Sequence, residues 1–308
     1  MMEFWLFSLI KICVAVFLVV LPMIAYSVVA ERRISAWIQD RVGPNRVGIP
    51  FTKIKLWGLG QPAADGVKFI LKEDFTPGHG RKIYFWLAPA IAMVPALMTL
   101  AVIPFGSNLG DQKYPMVIAN LNVGILYTFG IVSLGVYGIV LAGYASNSKY
   151  PFLGGIRSSA QMISYEIAMG MSVVPVFMIA AGNLPESIAN SEAWSALLEG
   201  AGPLNLSRIV AYQADGLFSW LVFKQPLAFV IFLLAAFAET NRLPFDLPES
   251  ETELVGGYHT EYSSMKFALF FLGEYAAMIA VSAMMVVLFL GGWTLPFADL
   301  NEPATSIW

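Results

Sequence analysis

Six long apolar runs constrain this chain more than anything else in it. They cover approximately Phe4–Val29, Ile83–Phe105, Val117–Tyr144, Ala160–Gly182, Leu221–Ala238 and Phe267–Leu290. Each is near the ~20 residues that carry a helix across roughly 30 Å of hydrocarbon. Inside hydrocarbon a backbone must satisfy its own hydrogen bonds, which leaves helices or a closed barrel. The runs are too long for barrel strands. The expected fold is an all-α polytopic membrane protein with about six transmembrane helices, forming one membrane domain over 1–308. The composition, 57% hydrophobic and 13% charged, agrees. The first run is too long for a secretory leader, and Glu3 rather than a basic cluster precedes it, so it reads as a retained helix.

The loops alternate in charge. Glu31–Lys82 holds ten Lys and Arg, Ala145–Ser159 holds Lys149 and Arg157, and Glu239–Lys266 holds Arg242 and Lys266. The opposite loops hold only Lys113 and Arg208, with Lys224 at the mouth of the fifth run. By the positive-inside rule the basic loops face inward and the N-terminus faces outward. Within the first inner loop, Pro62 suits the first turn of a helix. Val67, Ile70 and Leu71 then share one face, with Asp65, Lys68 and Lys72 on another. Gln61–Glu73 therefore reads as an amphipathic helix at the membrane surface. The outer loop 183–220 is polar, with a short helix expected near Trp194–Leu198. The third run is studded with glycines, for which close helix packing is a sufficient reason.

Several chemistries are excluded. A single cysteine, Cys13, can neither close a disulfide nor hold an iron–sulfur cluster. Both histidines, His79 and His259, fall in expected loops, so no spanning helix offers a haem ligand. No P-loop is present, and Gly58-Leu59-Gly60 follows no strand, so it is no dinucleotide fingerprint. No metal, haem or NAD is expected on this chain, and no nucleic-acid partner. Any redox centre belongs to another chain.

The carboxylates carry the chemistry that remains. Between Glu239 and Tyr262 lie Glu239, Asp246, Glu249, Glu251, Glu253 and Glu261, against the single basic residue Arg242. A carboxylate at mid-membrane costs roughly 2.5–3.5 kcal/mol on insertion scales, so a cluster beside hydrocarbon implies proton handling or cation binding. The interleaved Leu243, Phe245, Leu247, Leu254, Val255 and Tyr258 argue for an irregular segment that turns its acids toward a buried cavity. Two more carboxylates, Glu166 and Glu274, lie inside apolar runs, with no basic neighbour three or four residues away. Each should face the bundle or a wet cavity. The plainer alternative is a protonated Glu bonding across a helix interface. Glu31, Arg32 and Arg33 are read as ending the first helix, with Arg41 and a turn-rich run after them. Such arginines commonly anchor a helix by snorkelling. Arg32 and Arg41 could instead line the mouth of a ligand tunnel.

Taken together, the motifs closely resemble the membrane subunit 1 family of the proton-pumping NADH:quinone oxidoreductases, respiratory complex I. The runs that carry the resemblance are Glu31-Arg-Arg, Gln39-Asp-Arg-Val-Gly-Pro-Asn-Arg-Val-Gly48, Gly60-Gln-Pro-Ala-Ala-Asp-Gly-Val-Lys68, Lys72-Glu73 and Gly143-Tyr-Ala-Ser-Asn147. Ala160-Gln-Met-Ile-Ser-Tyr-Glu166, Ala238–Tyr262 and Phe267-Ala-Leu-Phe-Phe-Leu-Gly-Glu-Tyr275 complete them. The resemblance implies a chamber, shared with soluble iron–sulfur subunits, in which ubiquinone or menaquinone is reduced as substrate. It implies that the loops Glu31–Glu73 and Glu239–Glu261 dock on those subunits. Small membrane subunits, antiporter-like subunits and lipid would be the neighbours in the membrane. Arg32, Arg41 and Asp65 would lie along the quinone path. Glu166, Glu239, Asp246, Glu249, Glu251, Glu253 and Glu274 would form an acidic path toward the pumping subunits. The implied location is a bacterial cell membrane or a mitochondrial inner membrane. The family pattern runs on with two further helices and a basic Pro-Arg segment, whereas this sequence stops at Trp308. Two rivals stand beside this reading. One is the related membrane subunit of energy-converting nickel–iron hydrogenases. The other is a stand-alone ion transporter, which the lack of an inverted repeat or a matched pair of broken helices disfavours.

Overall fold

The structure, a computed structural model, describes residues 2–48, 57–106, 108–109, 114–185, 188, 194, 198, 201–246 and 251–294. It opens with one unbroken rod: α1 (Met2–Cys13), a π-helical stretch (Val14–Val20) and α2 (Leu21–Ile38). Glu31, Arg32 and Arg33 do not end this helix as the sequence suggested. They lie on its last turns, because no breaker arrives before Gly43-Pro44 and charged residues with long stems are good helix formers. The surface helix α3 (Gln61–Leu71) forms nearly as expected, with Pro62 in its first turn and Val67, Ile70 and Leu71 exposed.

Five helices then build the body. They are α4 (Lys82–Thr99), α5 (Gly124–Ala145), α6 (Lys149–Ala180), α8 (Pro226–Glu239) and α10 (Ser264–Phe289), with the short α7 (Leu206–Gln213) and α9 (Glu251–Leu254) between them. Among the described residues, five apolar helices are long enough to cross a membrane, the first rod among them. The sixth, α8, has only 14 residues. The expected span from Leu221 is interrupted at Gln225, because Pro226 disfavours helical geometry in the residue before it. Two other boundaries differ from expectation. The third run is helical only from Gly124, and α6 starts at Lys149, inside what read as a loop. A two-residue antiparallel pair, Asn108–Leu109 with Tyr114–Pro115, is the sole sheet among the described residues.

Helix α10 packs on α4, α4 on α5, α5 on α6 and α6 on α8, and α8 returns to α10, so the five close a ring. Glycine makes two of these contacts possible. A Cβ on Gly138 would lie 2.6 Å from the Ala92 nitrogen of α4, and one on Gly143 would lie 2.6 Å from the Pro151 carbonyl oxygen of α6. Backbone cannot yield at such distances. The α1–α2 rod lies outside the ring and touches α10 and α3 with its C-terminal half, α2.

Candidate functional site

The ring encloses a cavity of about 90 Å³. That volume admits several water-sized molecules. All five ring helices contribute to its wall, with Glu239, Glu274, Asn241 and Tyr258 among its polar groups. Glu239 reaches it because α8 is short. Fourteen residues rise about 21 Å, and the helix ends at Glu239 with that side chain buried in the bundle. Glu239 is 6% exposed, and its Oε2 is buried without a hydrogen-bond partner among the described residues. An unsatisfied buried carboxylate oxygen is costly, and groups of this kind mark functional positions. Glu166 stands nearby on α6, where it accepts a hydrogen bond from Ser133 Oγ of α5. The charges of Glu166 and Glu239 oppose each other. Gln161 of α6 fixes the chain beyond α8, donating to the carbonyls of Ala238 and Phe245, both at 2.8 Å.

A second hollow lies at the C-terminal end of α2. This cleft, of about 460 Å³, is lined by Glu31, Arg32 and Arg41, together with the turn at Gly43-Pro44. The chain folds back there through a 2.8 Å bond from the Arg41 amide to the Ala36 carbonyl. Gly43 supports the reversal with φ +72° and lies close enough to Ala36 that a side chain would crowd it. Arg32 Nη1 pairs with Asp65 Oδ2 of α3 at 3.2 Å. Asp65 is held in turn by Gln61 Nε2 at 3.1 Å and Lys68 Nζ at 3.7 Å. Arg32 and Arg41, read from the sequence as a candidate tunnel mouth, thus share one cleft, and Asp65, which the resemblance placed on the same path, pairs with Arg32.

One arginine joins the two hollows. Arg242 Nη1 donates to Glu31 Oε1 at 3.0 Å, and its Nε lies 2.8 Å from Glu274 Oε1. Tyr275 donates its hydroxyl to Glu31 Oε2 at 2.6 Å, and the guanidinium sits 4.7 Å from the centre of its ring. Burial works against the Arg242 charge, but Glu274, then Tyr275 and last Glu31 outweigh it and raise its pKa above the ordinary value. Glu31 lines the cleft and Glu274 lines the cavity, so the guanidinium links a residue of one wall to a residue of the other. Sequence reasoning gave Glu274 no basic partner and left Arg242 as a residue after a helix end. Periodicity along one helix carries no signal for a pair formed across elements.

Of the acidic segment, Glu239 lines the buried cavity, whereas Glu253 lies outside it. Glu253 sits on the single turn α9 with its side chain 61% exposed, paired with Arg157 Nη1 of α6 at 2.7 Å. A one-turn helix on the outside of α6 has no way to bury that side chain. Asp246 is partly buried at the end of the stretch pinned by Gln161. Glu249 and the side chain of Glu251 lie outside the described residues. Among the described residues, no three His, Cys, Asp or Glu are grouped to hold a metal ion.

Comparison with known proteins settles the lineage. The family model described as NADH dehydrogenase matches residues 10–308. The chain belongs to that NADH dehydrogenase family. It is similar to the first of two H-type subunits of NADH-quinone oxidoreductase in Geobacter metallireducens, at 50% identity over 92% of this chain and 77% of the relative. It is likewise similar to the second H-type subunit in Geobacter sulfurreducens, at 50% identity over 91% of this chain and 77% of the relative. The second such protein of Koribacter versatilis is 46% identical over 97% of this chain and 80% of that protein. Family membership and the helical body agree on a membrane protein, and the matched span takes in the cleft, the arginine and the cavity.

Proposed function

We propose that this chain is the membrane subunit of an NADH:quinone oxidoreductase and couples quinone reduction in the cleft to proton movement through the cavity. The relatives are named as quinone oxidoreductases, which favours this reading over a role in a hydrogenase. Other subunits of the complex are its partners. Soluble iron–sulfur subunits dock on the inner loops and deliver two electrons, and the quinone takes them up with two protons to give the quinol. The quinone path runs along Arg32, Arg41 and Asp65. The proton path begins at the exposed Glu253, includes Glu249, Glu251 and Asp246, and continues through Glu274, Glu239 and Glu166. The membrane is a bacterial cell membrane or a mitochondrial inner membrane, with the N-terminus outside.

The observation that carries the reading is the shared guanidinium of Arg242. A change of charge or hydrogen bonding beside Glu31 alters how firmly Glu31 holds that cation, and Glu274 feels the difference directly. Replacing Arg242 by Met in the assembled complex should lower quinone-linked NADH oxidation and pumping together, about tenfold or more. Glu274, largely buried, left without its cation costs on the order of several kcal/mol, the half-exposed Glu31 adds little, and about 1.4 kcal/mol is already tenfold. Arg242→Lys should recover part of the rate, because one ammonium cannot reproduce the two-sided geometry of the guanidinium. NADH oxidation by ferricyanide, which bypasses the quinone, should be unchanged. Full turnover with full pumping in assembled Arg242→Met complex would overturn the proposal.

A further inference from the structure

Helix α10 begins as a clasp on the end of α3. Ser264 Oγ donates to the carbonyls of Phe69 and Lys72 at 2.9 and 3.1 Å, and Ser263 Oγ donates to the Glu73 carbonyl at 3.0 Å. Phe69 and Lys72 sit at the C-terminal end of α3, where helix carbonyls lack partners of their own. Lys266, on the first turn of α10, is 5% exposed. Its ammonium donates to Thr76 Oγ1 at 2.9 Å and pairs with Asp74 Oδ1 at 3.0 Å. The same ammonium lies 3.9 Å from the Trp86 ring centre and 5.2 Å from that of Phe85, on α4. A lysine that merely anchors a helix sends its charge out to water. Lys266 turns inward, and its charge is met by an acid, a hydroxyl and two aromatic faces.

What the clasp holds is the helix whose Asp65 pairs with Arg32 of the cleft wall. Helix α3 buries no residue of its own, so side-chain burial does not fix its place. Phe69 rests against Phe267 of α10, ring centres 6.2 Å apart, and two polar grips act on the helix as well. One is the clasp at its C-terminal end, and the other is the pair between Asp65 and Arg32. If the first slackens, Asp65 moves relative to α2 and Arg32 loses the partner that aims it.

We propose that Lys266 is a positioning residue for the cleft: by tying the segment after α3 to α4 and α10, it sets where Asp65 holds Arg32. This rests on the reading of the cleft as the quinone path. In assembled complex, Lys266→Met should raise the KM for a short-chain ubiquinone or menaquinone by about threefold to tenfold, leaving kcat within about twofold. Oxidation of NADH by ferricyanide should be unchanged. Lys266→Arg, which keeps a charge able to stack on Trp86, should restore KM. In an Asp65→Asn background, Lys266→Met should raise KM no further, because both act on the same arginine. Multiplying effects in that pair would overturn the proposal, since they would mean that Lys266 acts elsewhere. Arg41→Gln separates the two layers of argument. If it shifts KM and Lys266→Met does not, the positioning role alone falls. If it leaves KM unchanged, the cleft is not the quinone path and the inference falls with that reading. Should Lys266→Met not assemble, Asp74→Asn, which loosens the same grip from the other side, carries the same measurements.

Discussion

Glu239 and Glu253 belong to one acidic stretch of sequence yet meet opposite surroundings, and their variants should behave accordingly. Glu239→Gln keeps size and most hydrogen bonding but cannot exchange a proton, in a place where the side chain is nearly sealed from solvent. It should lower quinone-linked NADH oxidation and pumping together while the complex still assembles. Glu253→Gln removes one member of an exposed pair of the kind worth ~0.2–1 kcal/mol, so its effect on both rates should be clearly smaller. Equal effects of the two substitutions on NADH oxidation and proton uptake would contradict that ranking. His259 offers a second test, through pH. Burial pushes it down to about 4, and it packs among Tyr258, Phe267 and Phe271. An unfolded chain takes up a proton there near pH 6.5 while the folded one resists. The stabilisation is therefore complete above about pH 6.5 and is lost as pH falls toward 4, by on the order of 3 kcal/mol. Thermal denaturation of the complex should show this acid sensitivity, and His259→Phe should flatten it. At this scale the sequence showed Glu166, Glu239 and Glu274 clearly, because a carboxyl among apolar residues stands out. It hid Glu31, Arg242 and Tyr275, because their meaning lies only in which elements meet.

Among elements, the helices were legible and their ends were not. Hydropathy registers where apolar side chains run, and the beginning of α6 carries Lys149 and Arg157, so it read as a loop although its backbone is helical. The reverse holds for the stretch from Val117, which is apolar but irregular until Gly124. The π-helical stretch at Val14–Val20 has no apparent signature among seven similar apolar residues. The glycines of α5 were read as one group, and the structure divides them. Gly138 and Gly143 stand against backbone of neighbouring helices, whereas Gly130 has nothing within 4 Å of a built Cβ. Gly138→Val should therefore force α4 and α5 apart, cost about 1–3 kcal/mol, and lower the thermal stability or yield of the complex. Gly130→Val should leave both near normal. A stable, fully assembled Gly138→Val complex would show that the close approach of α4 and α5 is dispensable.

For the whole molecule, the orientation proposed from the charge pattern of the loops would put the cleft and the clasp on the inner side, and labelling tests it. With Cys13 replaced, a cysteine introduced at residue 46 or 149 should be shielded from an impermeant reagent applied outside sealed right-side-out vesicles. A cysteine at residue 187 should react. Outward labelling at residue 46 would reverse the orientation of the cleft and of every step assigned to it. The shared arginine carries a consequence of another kind. Linkage between two sites is reciprocal. Whatever free energy an event in the cleft transmits to Glu274 by altering Glu31's hold on Arg242, a proton arriving at Glu274 returns to the cleft in equal measure. The joint has no built-in direction. Which way it runs is set by the redox and proton potentials on either side, and a steep enough proton gradient would drive the chemistry backward through the same guanidinium.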